Sequence, residues 1–175
     1  MTRNIYKGRV VDLNVDTVTL PNGATVELEI IHHPGAVAIV PMQATGSVLL
    51  IRQYRHAAGG YIYEIPAGKL DPGEAPRDCA ARELEEEIGV RASCLEPLLS
   101  FLTTPGFTDE VIHLFLATGL APGTQHLDHD EVLEIVEMPL PKAMDLIQDG
   151  TIRDAKTIVG VQTVYLRRER HSCTR

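Results

Sequence analysis

A chain of 175 residues with 44% hydrophobic and 23% charged residues has the length and composition of one globular domain with a full core. A formal net charge of −8 argues against non-specific nucleic-acid binding, which depends on Lys and Arg neutralising phosphates. Residues 1–7 carry no apolar signal core and no segment approaches the length of a membrane span, so the expectation is a soluble, cytoplasmic protein with neither nucleic acid nor membrane as partner.

Residues 9–20 are rich in Val and Leu, Pro21-Asn22-Gly23 signals a turn, and residues 25–31 resume the apolar alternation. This predicts an N-terminal antiparallel hairpin within residues 1–34. His32-His33-Pro34-Gly35 then breaks the chain. The paired histidines read either as metal ligands or as a loop near a site or on the surface, with no third nitrogen or thiolate ligand evident. Residues 36–41 are apolar throughout and predict a central strand, followed by a second strand over 47–53. Arg52 and Arg55 close that strand. Each is either a solvated cation or a rigid fork of donors suited to a phosphate or a ribose hydroxyl. Residues 61–66 predict another strand, which carries Glu64.

The stretch 68–90 reads GKLDPGEAPRDCAARELEEEIGV. Asp71-Pro72-Gly73 makes a turn, Pro76 suits a first helical turn, and Gly89 suits a C-terminal cap. On the intervening helix Glu86 and Glu87 flank Glu83, while Ala80, Leu84 and Ile88 form the opposite, buried stripe. Like charges so placed repel by a few tenths of a kcal/mol per pair. Arg82 reaches Glu86 without neutralising all three. The face is therefore either a solvated acidic surface or a site for a hard divalent cation with oxygen ligands, such as Mg²⁺.

Residues 95–103 predict a strand ending in TTPGFTDE, and residues 111–117 another. A loop over 121–131 contains Asp128-His129-Asp130-Glu131. It reads either as a wet acidic loop or as the source of a group that takes a proton from water. Residues 132–138 predict the last strand and 141–148 a helix stopping at Gly150. Residues 153–168 predict a second helix with Ile158, Val161 and Tyr165 on one side, and residues 167–175 a basic, frayed tail. The three cysteines, Cys79, Cys94 and Cys173, are odd in number, lack metal spacing and read as reduced thiols.

Glycine, five residues, Glu, seven residues, Arg-Glu-apolar, any, Glu-Glu, any, Gly-apolar: residues 68–90 resemble the box of the Nudix hydrolases at every specified position. LPNG, HPGAVAI, EIPAGKL, PGFTDE and DAKT segments appear in order, and Pro105 lies sixteen residues beyond Gly89. These resemble the ADP-ribose pyrophosphatase branch. The resemblance implies a single α/β domain over 1–175, an α/β/α sandwich around a mixed β-sheet. It makes the 1–34 hairpin a dimer-exchange element of a homodimer.

It implies Mg²⁺-dependent hydrolysis of ADP-ribose to AMP and ribose 5-phosphate, with two or three ions and Mn²⁺ able to substitute. Glu83, Glu86, Glu87 and the carbonyl of Ala67 would hold the metal, Arg82 would orient the carboxylates, and Glu74 would support the loop or add a water-mediated contact. Arg55, which matches the arginine of the family's QxR segment, and Glu64, in the approach to the box, are expected to bind substrate, and Pro105, Phe107 and Glu110 fall where the branch shapes the terminal-ribose pocket. The family's acidic loop makes Glu131 the expected general base or an extra ligand. His129 stands where relatives carry a glutamate and is the second candidate, since an unperturbed histidine titrates near 6.5. Two other readings share these residues: a pyrophosphatase for another nucleoside diphosphate derivative (a sugar nucleotide or dinucleotide), and a non-catalytic ADP-ribose sensor. The sensor would be expected to lose a helix carboxylate, and none is lost.

Overall fold

The structure, a computed structural model, describes residues 1–127 and 132–172. The N-terminal unit is a three-stranded antiparallel sheet rather than a hairpin: β1 (Thr2–Lys7), β2 (Asp12–Thr19) and β3 (Thr25–His32), in that order. Every residue of β1 is exposed, so it offers no apolar alternation from which a strand could be read. It is held instead by its ladder and by Asn4, whose Nδ2 donates to Asp12 Oδ1 at 2.7 Å and Asn14 Oδ1 at 3.0 Å. The β2–β3 turn closes as expected, with Gly23 at φ 86°, where a side chain would be strained.

The remaining strands are β4 (Ala36–Pro41), β5 (Ser47–Arg55), β6 (Gly60–Glu64), β7 (Ala67–Lys69), β8 (Val90–Leu102), β9 (Val111–Pro122) and β10 (Leu133–Pro139). The helices are α1 (Pro76–Ile88), α2 (Leu140–Gln148) and α3 (Ala155–Ser172). One sheet has the order β7-β4-β9-β8 and is mixed, since β4 and β9 run parallel. The other, β10-β5-β6, is antiparallel.

All six residues of β4 are buried, as an uninterrupted apolar strand requires when both faces are covered. Ala36, Ala38 and Val40, with Val48 and Leu50 of β5, pack against Ala143 of α2 and Val161 and Val164 of α3. The alternate residues Val37, Ile39, Leu49 and Ile51 pack against Cys79, Ala80, Leu84 and Ile88 of α1. The expected α/β/α sandwich follows from this period-two division. At Gly160 a Cβ would meet Ile65 Cδ1 and Val40 Cγ2 at 2.9 Å, so the glycine lets α3 lie close on the strands.

Between β6 and β7 the chain changes sheets at Ile65-Pro66. The Ile65 amide donates to Thr157 Oγ1 at 2.8 Å and the Pro66 carbonyl accepts from Ile39 at 2.9 Å, so these two backbone groups keep partners at the crossing. The crossing sets Glu64 on one sheet and Ala67 on the other, three residues apart. α3 continues through Ser172, which corrects the reading of 167–172 as part of a frayed tail, and Arg167 Nη2 pairs with Glu96 Oε1 on β8. Among the described residues no helix is long and apolar enough to cross a membrane.

Candidate active site

The box loop and α1 are set by local chemistry. The Glu74 amide donates to the Asp71 carbonyl at 2.9 Å across a turn with Gly73 at φ 80°. Pro76 opens α1, and Gly89, at φ 64°, closes it by donating to the Glu85 carbonyl at 2.9 Å. The segment after β9 then caps the exposed carbonyls of the last turn. The Gly123 and His126 amides donate to the carbonyls of Gly89 (2.8 Å) and Glu86 (2.9 Å), and Gln125 Nε2 to that of Glu87 (2.7 Å). With Ala80, Leu84 and Ile88 buried, Glu83, Glu86 and Glu87 line a cavity of about 640 Å³ at the sheet edge.

Arg82 offsets part of the repulsion expected within this face. Its Nη1 donates to Glu83 Oε1 at 2.7 Å and to Glu86 Oε2 at 2.9 Å. Its Nε and Nη2 form a two-pronged bond to the Glu74 carboxylate at 2.9 and 3.0 Å. Those bonds, with the Asp71 amide at 3.0 Å, hold the Glu74 carboxyl down to about 2 and raise the Arg82 guanidinium further above its ordinary value. Of the two roles open to Glu74, the geometry gives it loop support. Cys79, beneath this network, donates to the Lys69 carbonyl, and burial followed by the nearby Glu74 pushes its thiol up to about 12.

Glu83 and Glu87 are held from the β7 side. At Gly68 a Cβ would fall 1.9 Å from Cδ and Oε1 of Glu83, so the absent side chain is the space the carboxylate occupies. Glu87 is 3% exposed and accepts the Ala67 amide through Oε2 at 2.9 Å. Glu83 in this glycine cradle, with Glu86 and Glu87 lining the same cavity, supplies oxygen donors of the kind a hard divalent cation takes. Among the described residues no three His, Cys, Asp or Glu side chains already converge on one point, because Arg82 draws Glu83 and Glu86 together while Glu87 turns to the Ala67 amide.

Arg55 reaches the same cavity from the end of β5. Its Nε and Nη2 donate to Glu64 Oε1 and Oε2 at 2.8 and 2.9 Å. Glu64, 2% exposed, takes Lys156 Nζ at 2.7 Å as well. Burial pushes its carboxyl up, but the Arg55 hydrogen bonds and the Lys156 charge outweigh this and leave it below the ordinary range. Glu110 also lines the cavity and is held by Thr103 Oγ1 at 2.8 Å. Pro105 and Phe107 lie on an exposed turn outside the cavity lining, tied to β3 by the Ile31 amide donating to the Phe107 carbonyl at 2.8 Å. Nearby, His32 Nδ1 lies 2.6 Å from Asp109 Oδ2, whose hydrogen bond raises the imidazole above its ordinary value. The histidine pair is thus a latch between the N-terminal sheet and this turn, and the Gly35 amide donates to His33 Nδ1 at 3.1 Å.

Glu131 and His129 lie outside the described residues. Among the residues of the cavity wall that sequence reasoning missed are Lys69, His126 and Lys156. His126 carried no signal beyond its nearness to the acidic loop. Lys156 stood in the DAKT segment, which marked the resemblance without suggesting a role.

A family model described as NUDIX domain matches residues 32–159. The chain is 46% identical to the methanol dehydrogenase activator of Bacillus methanolicus, over 94% of this chain and 90% of that protein. It is 42% identical to the ADP-ribose pyrophosphatase of Bacillus subtilis (strain 168), over 93% of this chain and 89% of that one. A solved structure described as an ADP compounds hydrolase superposes with a TM-score of 0.86 at 26% identity, covering 98% of this chain and 93% of the other.

Proposed function

The chain belongs to the NUDIX family and is a hydrolase of phosphoric anhydride bonds, and we propose that its substrate is ADP-ribose, cleaved to AMP and ribose 5-phosphate. The observation that carries this reading is one cavity with the Glu83, Glu86 and Glu87 carboxylates on one wall and the Arg55 guanidinium on another. A diphosphate needs both, since its own charge must be met by cations and a carboxylate wall can face it only through metal ions.

Glu83, Glu86 and Glu87, with the Ala67 carbonyl, would hold two or three Mg²⁺ ions, or Mn²⁺ in their place. The chemistry supplied there is neutralisation of the diphosphate oxygens and acidification of the attacking water. Arg82 aligns Glu83 and Glu86 and is itself pinned by Glu74, so the pair keeps its geometry when substrate enters. Arg55, whose Nε and Nη2 are held by Glu64, binds the diphosphate through Nη1. Glu110, with Pro105 and Phe107 on the neighbouring turn, shapes the terminal-ribose end. The proton of the attacking water passes to Glu131, with His129 the second candidate. The enzyme acts as a cytoplasmic homodimer, the N-terminal sheet being the element exchanged.

The experiment is a product assay with ADP-ribose, with and without Mg²⁺, against a sugar-nucleotide and a nucleoside-triphosphate control. Metal-dependent AMP release in clear preference to the controls is the expected result. Preference for the sugar nucleotide would replace the substrate, and binding without turnover would replace the hydrolase by a sensor.

A further inference from the structure

We propose that Lys156, in the first turn of α3, is a substrate-positioning residue. Its ammonium and the Arg55 guanidinium form a two-cation clamp on the diphosphate, with the buried Glu64 carboxylate as their common counter-ion. The proposal rests on reading the cavity as a diphosphate hydrolase site.

Two neighbouring strands and a helix distant in sequence meet here: Arg55 ends β5, Glu64 ends β6 and Lys156 lies in the first turn of α3. Arg55 and Lys156 line the cavity, whereas Glu64 lies behind them, 2% exposed and absent from the lining. Glu64 uses both oxygens inward, bridging Arg55 Nε and Nη2 on one side and Lys156 Nζ on the other. A carboxylate so buried does not touch substrate. It fixes the heads of two long side chains whose rotamer freedom would otherwise be lost on binding.

Each cation keeps donor capacity for a ligand. Arg55 spends Nε and Nη2 on Glu64, and among the described residues its Nη1 has no partner. The Lys156 ammonium, with three N–H donors, meets Glu64 at 2.7 Å and Asp154 at 3.1 Å. Asp154 in turn caps α3, accepting the Thr157 amide at 3.0 Å and its hydroxyl at 2.6 Å. The clamp therefore sits at the positive end of a helix dipole, which adds to its attraction for an anion. Glu64 and Asp154 are absent from the cavity lining, whereas both cations line the cavity that the glutamates of α1 share. That polarity draws an anionic diphosphate to the clamp, and metal ions would bridge it to the acidic wall. Because Glu64 is three residues from Ala67 across the sheet crossing, the clamp is built into the backbone that carries the Glu87 contact.

The test uses the full chain with ADP-ribose at saturating Mg²⁺. Lys156→Met should raise KM by about 10- to 100-fold, the span of one hydrogen bond to a charged group, with kcat changed far less. Lys156→Arg should recover most of the loss. A melting curve accompanies each variant. If Lys156 only neutralises Glu64, Lys156→Met would keep its KM and lose melting temperature, and Glu64→Gln/Lys156→Met would restore full activity; either result overturns the clamp. A double variant still impaired in KM supports it. Should the wild-type chain fail to hydrolyse ADP-ribose, the hydrolase reading falls by itself. The clamp is then judged by calorimetry with inorganic pyrophosphate: a tenfold weaker Lys156→Met sustains it and equal affinity overturns it.

Discussion

Gly68→Ala separates catalytic geometry from folding. Gly68 lies in β7 at an ordinary negative φ, so alanine meets no backbone strain, and replacing glycine where its conformation is not needed stabilises a chain by about 0.4–1 kcal/mol. The added Cβ would nevertheless stand 1.9 Å from Glu83 Cδ and Oε1 and 2.5 Å from Oε2, where ordinary contact begins near 3.4 Å. The colliding atoms are the far end of a flexible side chain, so the carboxylate moves and the backbone does not. Its displacement is about 1.5 Å, which lengthens or breaks the 2.7 Å bond from Arg82. A misplacement near 1 Å at a reacting centre costs about 100-fold in rate. The expected outcome is a melting temperature within a few degrees of wild type, with kcat/KM for ADP-ribose down about 100-fold and half-saturation by Mg²⁺ shifted upward. Turnover within threefold of wild type would show that the Glu83 position is immaterial and would remove it from the metal site.

Three other perturbations probe separate parts of the molecule. Glu87→Gln keeps the shape and the acceptor oxygen for Ala67 but removes a buried charge, so kcat should fall by about 10² to 10³ while folding persists, read by steady-state kinetics beside circular dichroism. With its thiol held up to about 12 by burial and Glu74, Cys79 should resist iodoacetamide at pH 8 while the exposed Cys94 is labelled; peptide mass spectrometry reporting equal rates would contradict the packing. The raised pKa of His32 makes its latch strongest below about pH 6.5, the ordinary imidazole value, and weaker as pH rises through the folded-state value. NMR titration should place the midpoint above that of a free histidine, and Asp109→Asn should bring it down.

Legibility in the sequence followed the range of the interactions involved. β4 and α1 were readable because local pattern and tertiary burial agree: an apolar run buried on both faces, and Ala80, Leu84 and Ile88 at helical spacing. β1 was not readable, since a fully exposed strand held by its ladder and Asn4 carries no hydrophobic period. The end of α3 was misread for a similar reason. Its terminal basic residues resemble a solvated tail until Glu96, on β8, supplies a partner for Arg167. Within the site, the box named Glu83, Glu86, Glu87 and Arg82 through their fixed spacings, all on one helix. Lys156 escaped because its role rests on Glu64, 92 residues away in sequence.

Charge explains why an acidic chain can build this cavity at all. Left bare, the three glutamates of α1 would repel one another and destabilise the helix. Arg82 offsets part of that cost without filling the face, because Glu74 takes its Nε and Nη2 and leaves one nitrogen, Nη1, for Glu83 and Glu86 together. Glu87, at the edge of this network, accepts the Ala67 amide and feels the charge of Arg55. Arg55 and Lys156 are treated in the opposite sense, with Glu64 behind them and their outer faces toward the cavity. The fold thus satisfies each charge from behind and presents unlike charges on facing walls. Such an arrangement costs little in the folded chain and gains its full strength when a diphosphate and its metal ions lie between the walls.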